Sequence, residues 1–301
     1  MDQRAREQFE FLGHRSAVYA LAPLPGKGKF LSAGGDGQVI KWDLDRRDRG
    51  EVIARVDEAV FMLHVLPKLE LLVIGTASGM LHVIDLVQRA EVRAYKVHDR
   101  GIYAAAAMRE DTLAISAGDG TLSLWRATVK GSLDLYRQLP ISDAKLRGVT
   151  YLPDLRSLAI ADGNGPIHVL EDTDWNEKWT LPGHEGGTLC TAWHPARSVL
   201  LSGGKDGHLR LWKLDGQGEA SLALPAHRSA IYQVAFDRSG ALFATASRDR
   251  TVKIWDAIHL EVLHRSERIG HGHTHSVNAL IHVDGCWISG GDDGRVQVTM
   301  A

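Results

Sequence analysis

The sequence is poor in the features that mark disulfide-bonded, secreted and membrane-spanning proteins. It has only two cysteines, Cys190 and Cys286, which are too few for a disulfide framework and favour a reducing compartment. No apolar run reaches about eighteen residues. The N-terminal stretch MDQRAREQFEF has no apolar signal region. We therefore expect a soluble, cytoplasmic protein that does not enter a membrane.

An excess of charge of one sign is also missing. The chain has 35 Lys and Arg residues against 37 Asp and Glu residues, for a formal net charge of -2. Proteins that bind nucleic acid or an anionic membrane surface usually carry a clear excess of basic residues. We therefore expect neither partner, and any electrostatic recognition has to be local.

The chain does contain one segment repeated seven times. Four strong copies are GGDGQVIKWD at 34–43, AGDGTLSLWR at 117–126, GKDGHLRLWK at 204–213 and SRDRTVKIWD at 247–256. Three weaker copies are TASGMLHVID at 76–85, DGNGPIHVLE at 162–171 and GDDGRVQVTM at 291–300. The position of the tryptophan recurs every 41 to 45 residues, at Trp42, Ile84, Trp125, Leu170, Trp212, Trp255 and Thr299.

Each copy consists of short apolar or alternating runs separated by Asp-Gly turns, which predicts all-β structure. A period of about 40 to 45 residues with GH and WD signatures is typical of four-stranded propeller blades. The chain resembles the WD40-repeat family over essentially its full length. The resemblance implies one domain over residues 1–301, a single seven-bladed β-propeller.

The last copy stops after its third strand, while EQFEFL at 7–12 precedes the first repeat without a blade of its own. The resemblance implies that this N-terminal strand pairs with the C-terminal blade. Such pairing closes the ring and leaves only short strand edges open to other chains.

Histidine, hydroxyl and aspartate residues recur together, as they also do in nucleophilic catalytic sites. The resemblance implies instead that they form, with the tryptophan, a hydrogen-bonded tetrad that locks each blade. A catalytic site needs one copy, whereas this set occurs several times, so we favour the structural role. The complete sets are His14, Ser32, Asp36 and Trp42; His184, Ser202, Asp206 and Trp212; and His227, Thr245, Asp249 and Trp255.

The other repeats depart from this pattern. The third keeps His98 and Asp119 but has Ile115 at the position of the hydroxyl, and the seventh has Thr299 for the tryptophan. The second and fourth repeats lose nearly every tetrad residue. We expect apolar packing to replace the polar network there, a change that can be neutral when all partners go together.

In WD40 propellers the residue five positions after the tetrad histidine begins the innermost strand at the top face, where partners commonly bind. The seven positions read Tyr19, Phe61, Tyr103, Thr150, Leu189, Tyr232 and Asn278. Four are aromatic in a chain with 7% aromatic residues, and aromatic side chains are favoured anchors of binding surfaces. The alternative is that these rings pack into their blades as ordinary strand residues.

A second position on the top face, just before the turn aspartate, carries a small residue in repeats one to four. In repeats five and six it carries Lys205 and Arg248, which we expect to form a local positive edge. The predicted partner-binding residues are therefore Tyr19, Phe61, Tyr103, Leu189, Lys205, Tyr232 and Arg248.

Motifs for cofactors and metals are weak. The chain has no Walker loop, no dinucleotide fingerprint after a strand and no HExxH, so we predict no cofactor. The stretch HGHTHSV at 271–277 places three histidines at alternate positions. One of them, His273, already occupies a tetrad position, and a zinc site usually needs three or four converging ligands. We therefore predict no metal site.

These observations favour a non-catalytic scaffold, a monomeric propeller within a complex, that binds a peptide or protein through its top face. Two alternatives stay open. One is an enzyme with its site at the mouth of the central channel, and the other is a purely structural subunit held by its sides in a larger complex.

Overall fold

A computed structural model describes residues 8–109, 111–128, 132–214, 220–266 and 272–300. Within these ranges the chain forms 28 strands in seven four-stranded antiparallel sheets. In the described part of the chain the non-strand elements are two short 3-10 turns, at Pro67–Leu69 and Pro153–Leu155. None of the described segments is a helix long and apolar enough to cross a bilayer.

The first strands of the seven sheets surround the central axis, and each contacts the first strands of both neighbouring sheets. The contacts run around the whole ring, including the step from the last blade to the first, so the ring is closed. The first strands are β2 (Val18–Pro23), β6 (Val60–Leu66), β10 (Ile102–Arg109), β14 (Leu146–Leu152), β18 (Thr188–Trp193), β22 (Ile231–Phe236) and β26 (Val277–Val283).

The second strands are the most deeply buried, because each is covered by adjacent blades on both faces. They are β3 (Lys29–Gly34), β7 (Leu71–Thr76), β11 (Thr112–Ala117), β15 (Ser157–Asp162), β19 (Val199–Gly204), β23 (Leu242–Ser247) and β27 (Cys286–Gly291). The third strands are β4 (Gln38–Asp43), β8 (Met80–Asp85), β12 (Thr121–Ala127), β16 (Ile167–Glu171), β20 (His208–Lys213), β24 (Val252–Asp256) and β28 (Arg295–Met300).

The fourth strands form the perimeter and are the most exposed. Six follow their third strand directly: β5 (Arg46–Arg55), β9 (Ala90–Lys96), β13 (Leu133–Pro140), β17 (Glu177–Leu181), β21 (Ala220–Pro225) and β25 (Val262–Arg265). The seventh is the N-terminal strand β1 (Gln8–Leu12), which pairs antiparallel with β28 from Gln8 opposite Thr299 to Leu12 opposite Arg295. This confirms the predicted closure.

The core is divided into seven apolar clusters, one between each pair of adjacent blades. At the closing junction Phe11 of β1 contacts both Phe30 and Trp42 of the first blade, with ring centroids 5.7 and 4.9 Å apart. Where the tryptophan is missing, Ile84 and Leu170 are buried in the corresponding clusters of the second and fourth blades.

The turns between second and third strands define the two ends of the propeller. Because the strands are antiparallel, these turns and the loops that enter each blade lie at one end, here called the top face. The loops between first and second strands lie at the opposite end. Six of these turns place a glycine at positive φ, as at Gly37 with φ +68°, where a Cβ atom would lie 2.1 Å from the carbonyl oxygen of Val56.

Candidate functional site

Every first strand contains a β-bulge next to its first residue, and the bulge residue has no opposite partner in the ladder. A bulge redirects a side chain away from the regular alternation of a strand. All seven bulge side chains line one cavity of about 350 Å³ at the mouth of the central channel. They are Tyr19, Phe61, Tyr103, Arg147, Leu189, Tyr232 and Asn278.

Arg147 is the member that sequence reasoning missed. In the sequence alignment Lys145 stands at the histidine position of the fourth repeat, and the fifth residue after it is Thr150. The Thr150 hydroxyl, however, lies 2.9 Å from the carbonyl oxygen of Thr191 and 2.8 Å from its Oγ1, bridging two blades. The fourth repeat has no tetrad histidine, so the count began at the wrong residue. The buried apolar residue that opens the strand, here Leu146, directly precedes the bulge and would have been the better marker.

Three aromatic bulge residues form a row across the first three blades. The ring centroids of Tyr19 and Phe61 are 5.2 Å apart in an edge-to-face arrangement, and those of Phe61 and Tyr103 are 5.6 Å apart and stacked. The guanidinium of Arg147 lies over the Tyr103 ring at 4.3 Å. All four side chains are partly buried, so the row is neither core nor fully exposed. We call Tyr19, Phe61 and Tyr103 the aromatic row.

The other two predicted apolar residues lie on the far side of the channel mouth. Tyr232 is partly buried, and Leu189 is buried with 6% of its surface exposed. Only a small part of the Leu189 side chain is therefore open to a ligand.

A second top-face cavity of about 500 Å³ adjoins the first, with Leu189, Tyr232 and Arg147 common to both. Lys205 and Arg248 line it, and so do three basic residues that the sequence analysis did not select. We call the five together the basic arc: Arg100, Lys145, Arg147, Lys205 and Arg248.

The seventh blade gives the channel mouth an acidic side. Asp292 is exposed, and its Oδ1 accepts a hydrogen bond of 2.7 Å from Nδ2 of Asn278. Burial, together with the negative charge of Asp292, raises the pKa of Tyr19 above its ordinary value. The tyrosine is therefore a neutral hydrogen-bond donor at physiological pH.

The three complete tetrads share one geometry. In the first blade Trp42 Nε1 donates to Ser32 Oγ at 2.7 Å, which lies 2.7 Å from His14 Nε2, and His14 Nδ1 lies 3.1 Å from Asp36. The corresponding distances in the blades of His184 and His227 are within 0.3 Å of these values.

Two of these tetrad histidines, His184 and His227, are held neutral. Burial lowers the pKa of His184 to about 4, and burial likewise lowers that of His227. Burial opposes ionisation of Asp249, but hydrogen bonds from His227 and Thr251 still hold its pKa below the ordinary value. With Nδ1 donating to aspartate and Nε2 accepting from a hydroxyl, each imidazole already uses both of its nitrogens.

The third blade also has a complete network, although its second strand lacks the hydroxyl. Ser123 on the third strand lies 2.9 Å from His98 Nε2 and accepts a 2.9 Å hydrogen bond from Trp125 Nε1. Ile115 is directly opposite Ser123 in the ladder, and in the first blade Ser32 is directly opposite Ile40. The isoleucine and the serine have exchanged strands, and the hydroxyl still reaches the same partners.

The seventh blade keeps part of the network. His273 lies 2.9 Å from both Ser289 and Asp293, while Thr299 stands at the tryptophan position. Both ring nitrogens of His273 are therefore engaged. Among the described residues no group of three or more His, Cys, Asp or Glu side chains is arranged to hold a metal ion, and His271 lies outside them.

Comparisons with known proteins agree with this architecture. Five stretches match the family model described as WD domain, G-beta repeat: 5–43, 89–126, 175–213, 218–256 and 265–298. The five correspond to the blades that keep the tetrad histidine and aspartate. The second and fourth blades, which lack them, lie between the matched stretches.

Curated relatives match most of the chain. Serine-threonine kinase receptor-associated protein of Homo sapiens is 27% identical over 253 residues, which cover 82% of this chain and 69% of the relative. The protein of that name from Gallus gallus is 27% identical over 250 residues, covering 81% and 68%. WD repeat and FYVE domain-containing protein 1 of Mus musculus is 23% identical over 257 residues, covering 81% of this chain and 61% of the relative.

Proposed function

The chain belongs to the WD40-repeat family, and on this basis we propose that it is a non-catalytic scaffold that binds a protein or peptide segment through its top face. The observation that supports the proposal most directly is the convergence of all seven bulge side chains on one cavity. The name of the human relative describes association with a receptor, which accords with a role in protein interaction.

The composition of the cavity fits binding better than chemistry. Aromatic and arginine side chains are the residues that contribute most to protein interfaces. The recurring histidines, hydroxyls and aspartates of the three complete tetrads are hydrogen-bonded to one another inside the blades. Residence in the cytoplasm and a monomeric state within a larger assembly stay predictions.

Truncation of the aromatic row tests the proposal. We expect Tyr19→Ala combined with Tyr103→Ala to abolish recovery of proteins that the wild-type chain retains from a lysate of its source cells, quantified by mass spectrometry. An anchoring ring commonly contributes about 2 kcal/mol or more to binding, which is roughly thirtyfold in affinity.

A matched control lies at the opposite end of the propeller. Val87 is 66% exposed and lines a cavity of about 340 Å³ between the first two blades. Val87→Ala should leave the recovered proteins unchanged. Loss of partners with Val87→Ala but not with the tyrosine variant would place the binding surface at that end and contradict the proposal.

Thermal unfolding distinguishes aromatic rings that are exposed for binding from rings that stabilise the core. Because Tyr19 is only partly buried, Tyr19→Ala should change the unfolding midpoint little. His227→Ala should lower it by an amount equivalent to about 1 to 3 kcal/mol, since Asp249 and Thr245 lose a buried partner. If the tyrosine variant unfolds as early as the histidine variant and keeps its partners, the aromatic row belongs to the core.

A further inference from the structure

The basic arc is a concentration of positive charge in a chain that is otherwise slightly acidic. Five of the ten residues that line its cavity are Lys or Arg, and none is Asp or Glu. The formal charge of the whole chain is -2, so the positive charge of this surface is opposite in sign to the net charge of the chain. The exposed carboxylates of Asp99 and Asp143 lie on the same loops as Arg100 and Lys145 but do not line the cavity.

The cations of the arc are available to a ligand. Arg100, Lys145, Lys205 and Arg248 are exposed, and none of them forms an ion pair with any residue that the structure describes. The aspartates that follow Lys205 and Arg248 in the chain are already bound to tetrad histidines. Like charges gathered without ion-pair partners repel one another, so binding of a ligand that neutralises them is favoured.

From this geometry we infer that the segment bound by the top face is acidic. Its Asp and Glu carboxylates lie on the basic arc, and an adjacent apolar side chain lies against the aromatic row. The inference rests on the proposed function and adds the chemistry of the partner. Arg147 connects the basic arc with the aromatic row, because it lines both cavities and its guanidinium lies over the Tyr103 ring.

The spread of the cations favours several carboxylates over a single phosphate group. The arc takes its residues from four consecutive blades, with Arg100 on the loop that enters the third blade and Arg248 on a turn of the sixth. One phosphate is satisfied by two or three converging donors, whereas an extended acidic run offers a charge to each blade in turn.

Two features disfavour single-stranded nucleic acid as the ligand. Nucleic-acid platforms need aromatic faces open for base stacking. Here the facing sides of Phe61 and Tyr103 cover each other, and Arg147 lies over the Tyr103 ring. The exposed carboxylate of Asp292, which lines the aromatic cavity, would also repel a phosphate backbone that continues into this cavity, whereas the proposed segment places an apolar side chain there.

Selection from a random peptide library displayed on phage tests the inference without knowledge of the natural partner. The peptides should be about twelve residues long, which in extended form spans roughly 40 Å. The bait is the purified chain, and the matched bait is the triple variant Lys145→Glu, Lys205→Glu, Arg248→Glu. We expect peptides enriched on the wild type, and not on the triple variant, to be rich in Asp and Glu with a nearby apolar residue.

A control triple variant carries the same change of charge at the opposite end. Lys27, Arg197 and Arg238 are exposed on loops between first and second strands. Lys27→Glu, Arg197→Glu, Arg238→Glu should enrich the same acidic peptides as the wild type. Thermal unfolding of both triple variants should match the wild type, because all six side chains are exposed.

Fluorescence anisotropy with the most enriched peptide measures how much each triple variant changes the binding affinity. We expect the triple variant of the arc to weaken binding at least about tenfold, and the control variant by less than about twofold. Asn and Gln replacing Asp and Glu in the peptide should weaken binding similarly, and raising the salt should weaken binding to the wild type.

Several results would overturn the inference. These are an enriched pool without acidic bias, equal enrichment on the arc variant, and tighter binding of a neutral peptide with one phosphoserine or of single-stranded poly-uridine. If the charge reversals leave the lysate partners unchanged while Tyr19→Ala with Tyr103→Ala removes them, the acidic partner is wrong and the proposed function stands. If neither set of variants changes recovery, the proposed function fails.

Discussion

Replacement of Ser123 by Ala should show whether the exchanged hydroxyl of the third blade is equivalent to those of the other tetrads. Ser123 is fully buried and lies 2.9 Å from both His98 Nε2 and Trp125 Nε1. Its removal leaves an indole N–H and an imidazole nitrogen without partners. Each unpaired buried group costs about 1 to 3 kcal/mol, so we expect the free energy of unfolding to fall by about 3 kcal/mol.

Thermal unfolding followed by circular dichroism is a suitable assay. An unfolding entropy of about 2.1 cal/mol/K per residue gives roughly 0.6 kcal/mol/K for this chain, so 3 kcal/mol lowers the midpoint by about 5 °C. Ser116→Ala is the matched control, because Ser116 is also fully buried but its hydroxyl has no hydrogen-bond partner among the described residues. This change should leave the midpoint nearly unchanged or raise it.

A double-mutant cycle tests the exchange itself. Ile115→Thr places a hydroxyl where the first, fifth and sixth blades have theirs, directly opposite position 123. We expect this change to cost at least about 1 kcal/mol less in the Ser123→Ala background than in the wild type, since only there does the new hydroxyl find free partners. Additive effects, or equal costs for Ser123→Ala and Ser116→Ala, would refute the reasoning.

Three further predictions follow from the fold. Phe11→Ala should destabilise the ring by roughly 3 to 5 kcal/mol in urea unfolding, because its side chain is buried between the closing blades, while Leu12→Ala, at a residue 68% exposed, should not. Burial lowers the pKa of His184 to about 4 in the folded protein, against about 6.5 in the unfolded chain. The contribution of His184 to the free energy of unfolding should therefore be complete above about pH 6.5 and fall by up to about 3 kcal/mol towards pH 4. If His184→Gln leaves the pH dependence of the free energy of unfolding unchanged, this prediction is wrong. Arg250 has φ +75° at a turn position where the other six blades have glycine, so Arg250→Gly should raise the midpoint by the equivalent of about 1 kcal/mol. A lower midpoint would show that the backbone at Arg250 is not strained.

The sequence by itself determined the architecture of this protein. A repeat length of 41 to 45 residues admits four short strands with their turns, and seven copies account for the blades. For the unpaired N-terminal strand and the incomplete last repeat, the resemblance to the WD40 family implied the closure that the pairing of β1 with β28 confirms. These features were readable because strand alternation, turn residues and repeat spacing are local properties of the chain.

Tertiary structure decided which side chains meet on the top face. The bulge aims Arg147, and not Thr150, into the cavity, and this depends on which residue opens the strand. The aromatic row and the basic arc join side chains about one repeat apart in sequence, and Ser123 substitutes for a hydroxyl expected on another strand. No local pattern encodes such contacts, because they depend on how neighbouring blades pack and on the register of each strand.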